Sequence, residues 1–192
     1  MALPQEKPKF DAAAYLAWEA EQPDRNEYIA GEAFAMVGVR QAHNIATLNI
    51  ATALRAALKG SPCRVFIESV KTRVEAADCF FYPDVVVTCD ARDRATPDYI
   101  SHPLLVIEVL SESTAAFDRG DKFAAYRKLA SLQEYVLVDL SAKRVEVFRR
   151  NAEQHWVLYE YLEGETIEFA VLSLNLPVST VLEDTEEEQP ES

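Results

Sequence analysis

Two continuous apolar segments, residues 85–87 and 104–110, constrain the fold of this chain more than any other feature. Neither segment alternates between apolar and polar residues, as a strand with one solvent-facing side would. Short, uninterrupted runs of Val, Ile and Leu are typical of central strands that are covered on both faces. The two segments therefore predict the middle of a sheet that has other elements packed above and below it.

Helical patterns lie on either side of these strands. Asp11 is a predicted N-cap for a first helix that ends before Pro23. A second helix is predicted across residues 41–60, where apolar residues recur at helical spacing and Gly60 suits the end. A third helix is predicted over about residues 118–130. The helices alternate with groups of strands, which is the pattern of an α/β fold.

The remaining segments have the composition of β-strands. Residues 26–38 predict two short strands about a turn at Ala30-Gly31, and residues 141–150 alternate as an antiparallel edge ribbon would. Further strands are predicted at residues 64–70, 71–76, 79–89, 133–140 and 155–162. We expect a mixed β-sheet flanked by helices, with an added antiparallel ribbon. Residues 1–182 are predicted to form one domain.

The charge of the chain is concentrated at its end. The formal net charge is −13, and the last ten residues hold six acids and no base, so the remainder carries −7. We expect residues 183–192 to form a disordered acidic tail. Even without the tail, the charge argues against a protein that holds nucleic acid through a broad basic surface.

The sequence predicts a cytoplasmic protein that does not enter the membrane. No segment approaches about 18 uninterrupted apolar residues, the minimum for a transmembrane helix. The first ten residues lack the basic and apolar regions of a secretory signal. Cys63, Cys79 and Cys89 are odd in number and show no CxxC spacing, so we expect reduced thiols rather than disulfides or a zinc site.

Two acidic residues interrupt the apolar segments. Glu108 lies inside the second one, where a carboxylate costs several kcal/mol unless it is paired, protonated or bound to a metal. Asp84 follows Pro83 at the start of the first one. Either acid alone could be an ordinary strand-end residue. If the two strands are antiparallel neighbours, however, the carboxylates meet at one edge of the sheet and form an oxygen site for Mg²⁺ or Mn²⁺.

The same acids lie in segments that resemble a known family, the Uma-type restriction endonucleases of the PD-(D/E)xK nuclease superfamily. The similarity covers about residues 10–160. The segments that carry it are YPDVVV at 82–87, LVIEVLSEST at 105–114, DRGDK at 118–122 with Tyr126, EYIAGE at 27–32, His43, and EYVLVD at 134–139. The bare Pro-Asp pair is common, but the EVLSEST segment with the downstream D-x-G-x-K is more specific.

The resemblance implies a restriction-endonuclease-like core with Asp84 and Glu108 as metal ligands and the carbonyl of Val109 as a further ligand. One position departs from the superfamily motif. Leu110 stands two residues after Glu108, where the motif has lysine. The resemblance places the lysine in the following helix, at Lys122. A simpler interpretation of Lys122 is a solvated side chain paired with Asp118, the predicted N-cap of that helix.

Two more residues are candidates for the site. Glu27 would supply a third carboxylate from the N-terminal hairpin, and His43, at the start of the second helix, would contact the phosphate or a metal-bound water. Each also has a simpler interpretation. Glu27 would be an exposed hairpin residue, and His43 a hydrogen-bonded residue at a helix start.

The leading hypothesis is a metal-dependent endonuclease acting on DNA, with Asp84, Glu108, Lys122 and Glu27 as its catalytic residues. The alternative is a non-catalytic binding or scaffold protein that retains the nuclease fold, which the acidic composition favours. Phosphate-cradling motifs such as GxGxxG and the Walker loop are absent from the sequence. The apolar, aromatic segment at residues 156–161 predicts an exposed edge strand, and hence a homodimer.

Overall fold

The computed structural model describes residues 10–36 and 38–186. A π-helical segment spans Asp118–Lys122. The helices are α1 (Ala12–Glu19), α2 (Gln41–Ala57), α3 (Ala115–Phe117), α4 (Phe123–Tyr126) and α5 (Val178–Leu182). The strands are β1 (Asn26–Ile29), β2 (Glu32–Ala35), β3 (Arg64–Ile67), β4 (Lys71–Val74), β5 (Cys79–Phe81), β6 (Val85–Thr88), β7 (Tyr99–Ile100), β8 (Leu105–Val109), β9 (Glu134–Asp139), β10 (Arg144–Arg150), β11 (Trp156–Leu162), β12 (Thr166–Phe169) and β13 (Leu174–Pro177).

The strands form three sheets. The large sheet has the order β11-β10-β9-β8-β6-β3, with β8 and β9 parallel and its other pairs antiparallel. The small sheet has the order β2-β1-β5-β4-β7, and β12 pairs with β13 in a separate hairpin. The predicted mixed α/β fold is confirmed. The sequence, however, indicated one sheet, and it did not indicate the hairpin or α5 that follows it.

The two apolar segments form adjacent central strands, as predicted. Every residue of β6 and β8 is buried. Alternate side chains reach opposite faces of the large sheet: Val85 and Ile107 pack beneath α2, whereas Val86 and Val106 pack against α4 and the small sheet. Continuous apolar sequence is therefore needed because both faces of these strands lie in hydrophobic core.

The first two helices follow the sequence patterns closely. The Asp11 carboxylate accepts a hydrogen bond from the Ala14 N–H and caps α1. Ile50 and Leu54 lie on the buried face of α2. Gly60, just beyond α2, has a φ of +84°, a conformation that favours glycine.

The helix after β8 differs from the prediction. It begins at Ala115 rather than near Asp118, and α4 ends at Tyr126. Asp118 is therefore not an N-cap but lies inside the helix, where the π-helical segment begins. Residues 141–150, predicted as an antiparallel edge ribbon, contain β10, which is antiparallel but lies between β9 and β11. The outer edge of the large sheet is β11, which was predicted as an edge strand.

The structure bears on the predicted absence of a membrane-spanning helix, but only in part on the predicted disorder of residues 183–192. Within residues 10–36 and 38–186, no helix has the length and apolarity required to cross a bilayer. The disorder of the acidic tail stays a prediction, because residues 187–192 lie outside the described part of the chain. Of the tail residues that are described, Thr185 donates from its N–H to the Leu182 carbonyl, and Glu186 pairs with Lys143.

The prediction of three reduced thiols is wrong. Cys63 and Cys89 form a disulfide, and Cys79 is a buried free cysteine. Arg64 of β3 lies opposite Thr88 of β6, so the next pair outward brings the two cysteines together. The odd number of cysteines and their lack of CxxC spacing therefore do not indicate a reducing compartment. A cytoplasmic location remains only a prediction.

Reduction of this disulfide is expected to lower the free energy of unfolding. The bond joins residues that are 26 positions apart. In the chain-entropy model, closing a loop of that length raises the free energy of the unfolded chain by about 3.5 kcal/mol. Urea unfolding with and without a phosphine reductant measures the difference. The matched control is the Cys63→Ser/Cys89→Ser variant, whose free energy of unfolding should not change when the reductant is added. Equal stability of the oxidised and reduced wild-type protein would contradict the prediction.

Candidate active site

Asp84 and Glu108 meet at one edge of the large sheet. Strands β6 and β8 are antiparallel neighbours, and Val85 lies opposite Ile107. Continuing this register by one residue places Asp84 opposite Glu108. Because side chains alternate along a strand, both acids lie on the face that carries Val86 and Val106, toward the π-helical segment. The two strands are therefore antiparallel neighbours with their carboxylates at the same edge, which is the arrangement that a shared metal site requires.

The Asp84 carboxylate is fixed from two sides. The Val109 N–H donates to Asp84 Oδ2 at 2.6 Å, and His43 Nε2 lies 3.3 Å from the same oxygen. His43 is in the first turn of α2 and is only 8% exposed. Burial alone would lower the pKa of His43, but the adjacent Asp84 carboxylate outweighs it and raises the pKa above the usual value. His43 is thus a buried partner of the Asp84 carboxylate.

Lys122 is buried among three carboxylates. Its Nζ lies 2.9 Å from Glu108 Oε1, 3.3 Å from Glu27 Oε1 and 3.5 Å from Asp118 Oδ1. The Lys122 side chain is 7% exposed, so the interpretation of a solvated lysine is wrong, although its pairing with Asp118 is present. Lys122 closes the π-helical segment, a helical irregularity that is frequent at functional sites.

The charges of this cluster do not balance. Burial raises the pKa of Glu108 well above its ordinary value; Lys122 opposes that rise, while Asp118, Asp84 and Glu27 add to it. Burial would lower the pKa of Lys122, but Glu108, Glu27 and Asp118 together raise it. One ammonium is therefore shared by several carboxylates. Such a site favours an additional cation.

Glu27 reaches the cluster from the small sheet. It lies on β1, and its Oε1 accepts a hydrogen bond from the Tyr82 N–H at 3.1 Å as well as contacting Lys122. Its side chain is 14% exposed. The interpretation of Glu27 as an exposed hairpin residue is therefore wrong.

Glu68 is a candidate that the sequence did not indicate. Ligand atoms of His43, Glu68 and Asp84 all lie within 4.8 Å of one another, a grouping that could hold a metal ion. Glu68 has a φ of +39°, its N–H donates to the Asp84 carbonyl at 3.3 Å, and its carboxylate accepts from Asn44 Nδ2. No local motif marks Glu68, because only the pairing of β3 with β6 brings it near Asp84.

One cleft of about 1030 Å³ is lined by all of the residues that the sequence made candidates for the site. They are Glu27, His43, Asp84, Glu108, Val109 and Lys122. One wall comes from β2, Met36 and residues 38–40, and another from residues 111–114. The cleft is large enough for a nucleotide-sized portion of a substrate. Its floor combines acidic oxygens with a fixed ammonium, the groups that bind divalent cations and phosphates.

Solved structures include one with the same overall fold. A crystal structure of "a putative nuclease belonging to DUF820" from Anabaena variabilis superposes with a TM-score of 0.72, covering 90% of this chain and 97% of that chain. The sequence identity is 18%, so the similarity concerns the fold.

Sequence comparisons give two relatives from Synechocystis sp. "Uncharacterized protein slr1290" is 33% identical over 174 residues, which cover 91% of this chain and 92% of that protein. "Uncharacterized protein sll1609" is 31% identical over 166 residues, with 85% and 94% covered. The family model Uma2, described as "Putative restriction endonuclease", matches residues 12–179. The chain therefore belongs to the Uma2 family of restriction-endonuclease-like proteins.

Proposed function

We propose that this protein is a metal-dependent endonuclease that hydrolyses DNA phosphodiester bonds. The observation that carries the proposal is the cluster in which Asp84 and Glu108 meet at the edge of two paired central strands and Glu108 contacts the buried ammonium of Lys122. Membership in a family described as restriction endonucleases supports it. The proposed catalytic residues are Asp84, Glu108, Lys122 and Glu27.

The donor atoms suit a hard divalent cation. The carboxylates of Asp84 and Glu108 and the carbonyl of Val109 are oxygen donors, which Mg²⁺ and Mn²⁺ prefer. Burial raises the pKa of Glu108, and the nearby carboxylates of Asp118, Asp84 and Glu27 raise it further, so an added cation would be stabilised among them. When bound, the ion would supply Lewis-acid stabilisation of charge on the phosphate and activation of water. His43 and Glu68 offer further ligands around Asp84.

The protein's own groups would position the reactants. The Val109 N–H and His43 hold Asp84 at the edge of the sheet. Lys122 Nζ has a fixed position between Glu108 and Glu27, from which it would donate hydrogen bonds to the attacking water and to a phosphate oxygen. Glu27 would keep Lys122 charged and support the cation-binding carboxylates.

Cleavage of supercoiled plasmid and of labelled duplex and single-stranded oligonucleotides tests the proposal. We expect cleavage with Mg²⁺ or Mn²⁺ and none when EDTA replaces the cation. Cleavage that persists in excess EDTA, or failure to cleave any DNA with either cation, would contradict it.

The second candidate function is a non-catalytic binding or scaffold protein. Two observations favour it: the net charge of −13, and the Lys122 ammonium that already neutralises part of the charge on Glu108. Calorimetric titration with Mn²⁺ separates the candidates. Saturable binding by the wild type that is lost in Glu108→Gln supports the nuclease. Absence of binding, or equal binding by both proteins, supports the scaffold.

We also propose that the protein forms a homodimer through β11. This strand is the outer edge of the large sheet and leaves Val157, Leu158, Tyr159 and Leu162 between 36% and 49% exposed. An unpaired apolar edge is a template for pairing with a second copy. Leu158→Lys is expected to shift the mass measured by light scattering from dimer to monomer, whereas Leu48→Lys, on exposed α2 surface, leaves it unchanged. A monomeric wild type would disprove the proposal.

A further inference from the structure

Among the residues that the structure describes, eight acidic and three basic side chains line the cleft. Lys122 contacts Glu108, Glu27 and Asp118, and Lys143 contacts Glu163 and Glu186. The formal charge of the lining is −5, and a single divalent cation would reduce it only to −3. Proteins that hold duplex DNA along its backbone neutralise several phosphates at once with Lys and Arg. This cleft offers few cations for that purpose, so affinity for a nucleic acid must come mainly from another source.

The wall formed by β2, Met36 and residues 38–40 supplies a different kind of contact. Phe34, Met36 and Val39 are 46%, 36% and 51% exposed, and all three line the cleft. Exposed apolar patches that are rimmed by polar residues mark ligand-binding grooves and interaction sites. We call these three residues the apolar wall.

The apolar wall is directly connected to the carboxylate cluster. Phe34 lies opposite Glu27 in the β1–β2 pair, so both side chains lie on the same face of the small sheet, with Cβ atoms about 5 Å apart. Glu27 in turn contacts Lys122 at 3.3 Å. A phosphate at Lys122 would therefore have its own nucleobase, or that of its neighbour, within reach of the Phe34 ring.

A base can stack on Phe34 only if it is not paired inside a duplex. Base–aromatic stacking contributes to binding without requiring a basic surface, and it tolerates any base because every base has a π-face. From the acidic lining and the apolar wall together, we propose that the cleft takes an unpaired segment of nucleic acid, with one nucleobase packed on Phe34 of the apolar wall. This inference rests on the proposed nuclease function and specifies its substrate as single-stranded or locally unpaired.

Equilibrium binding tests the inference separately from cleavage. The full-length protein is titrated, with Ca²⁺ as the cation, against three fluorescein-labelled probes: a single-stranded oligonucleotide, its duplex, and the same single strand with abasic residues. Fluorescence anisotropy reports the Kd for each. We expect the single strand to bind about tenfold or more tightly than the duplex or the abasic strand, from the usual contribution of one stacked base.

Substitution of the apolar wall gives the decisive comparison. Phe34→Ala is expected to weaken binding of the normal single strand about tenfold and to leave binding of the abasic strand unchanged. Phe34→Trp, which keeps a ring, should restore binding. Leu48→Ala is the matched control, because Leu48 is 55% exposed on α2 and does not line the cleft.

The outcomes separate this inference from the nuclease proposal. Duplex binding as tight as single-strand binding, or a Phe34→Ala loss that is equal for normal and abasic strands, would overturn the inference. If such a protein still cleaves duplex DNA with Mg²⁺, the nuclease proposal stands and only the substrate assignment fails. Base-dependent single-strand binding without any cleavage would support an unpaired nucleic acid as the ligand of the cleft and contradict the nuclease proposal.

Discussion

Replacing Asp84 with Asn, or Glu108 with Gln, is expected to lower the rate of Mg²⁺- or Mn²⁺-dependent DNA cleavage about 1000-fold or more. Each substitution preserves the shape of the side chain and removes a negative charge at the proposed cation site. Electrostatic stabilisation of a transferring phosphate is the main contribution that such a site can make, so losing a carboxylate ligand removes several kcal/mol from transition-state binding. Single-turnover cleavage of a labelled oligonucleotide measures the rate.

The control for this prediction is Glu153→Gln, which makes the same chemical change in an exposed turn and should cleave at the wild-type rate. Circular dichroism and the midpoint of urea unfolding verify that each variant is folded. Metal affinity should fall in parallel with activity, as measured by titration with Mn²⁺. Wild-type cleavage by both Asp84→Asn and Glu108→Gln would refute the assignment of the site.

The largest effect on stability is expected for Lys122→Met. The substitution keeps most of the side-chain volume but leaves Glu108, Glu27 and Asp118 without the ammonium that they share. Removing one partner from a buried ion pair costs about 3–5 kcal/mol, because the remaining charge stays buried and uncompensated. We expect a loss of that size in the free energy of unfolding near neutral pH, measured without divalent cations, and partial recovery when Mn²⁺ is added.

The loss should depend on pH in a defined direction. Glu108 has a pKa in the folded protein that burial raises above its unfolded value, and loss of Lys122 would raise it further. Between the unfolded-state pKa and the folded-state pKa of Glu108, the folded protein binds more protons than the unfolded protein. The free energy of unfolding therefore falls as the pH rises through this range. The deficit of Lys122→Met should therefore be small at acid pH, below the unfolded pKa of glutamate, and grow toward neutrality.

Two further variants test whether the effect arises from uncompensated charge. Lys143→Met removes an exposed lysine that also pairs with two glutamates, and it should change stability little, since exposed pairs are screened by solvent. Lys122→Met/Glu108→Gln removes both members of the closest buried pair and should recover part of the lost stability. Equal unfolding free energies for the wild type and Lys122→Met at all pH values would show that the cluster is not an ion-pair network.

Local sequence determined those parts of the molecule that depend on residues close together in the chain. Continuous apolar segments specify β6 and β8 as buried central strands, since only coverage on both faces accounts for them. Helical periodicity with Gly60 specifies α2, and Asp11 specifies the start of α1. Acids at the ends of apolar strands made Asp84 and Glu108 candidates, because carboxylates in such positions need a compensating partner.

Other features were decided by tertiary structure alone. The pairing of β3 with β6 joins Cys63 to Cys89 and brings Glu68 to Asp84, although neither relation has a local signal. Lys122 lies in the carboxylate cluster at the end of the π-helical segment. The sequence pattern indicated instead a helix that begins at Asp118. The β1–β2 hairpin buries Glu27 against the same ammonium. Strand register and packing between distant segments set these contacts, and the propensities of neighbouring residues do not encode them.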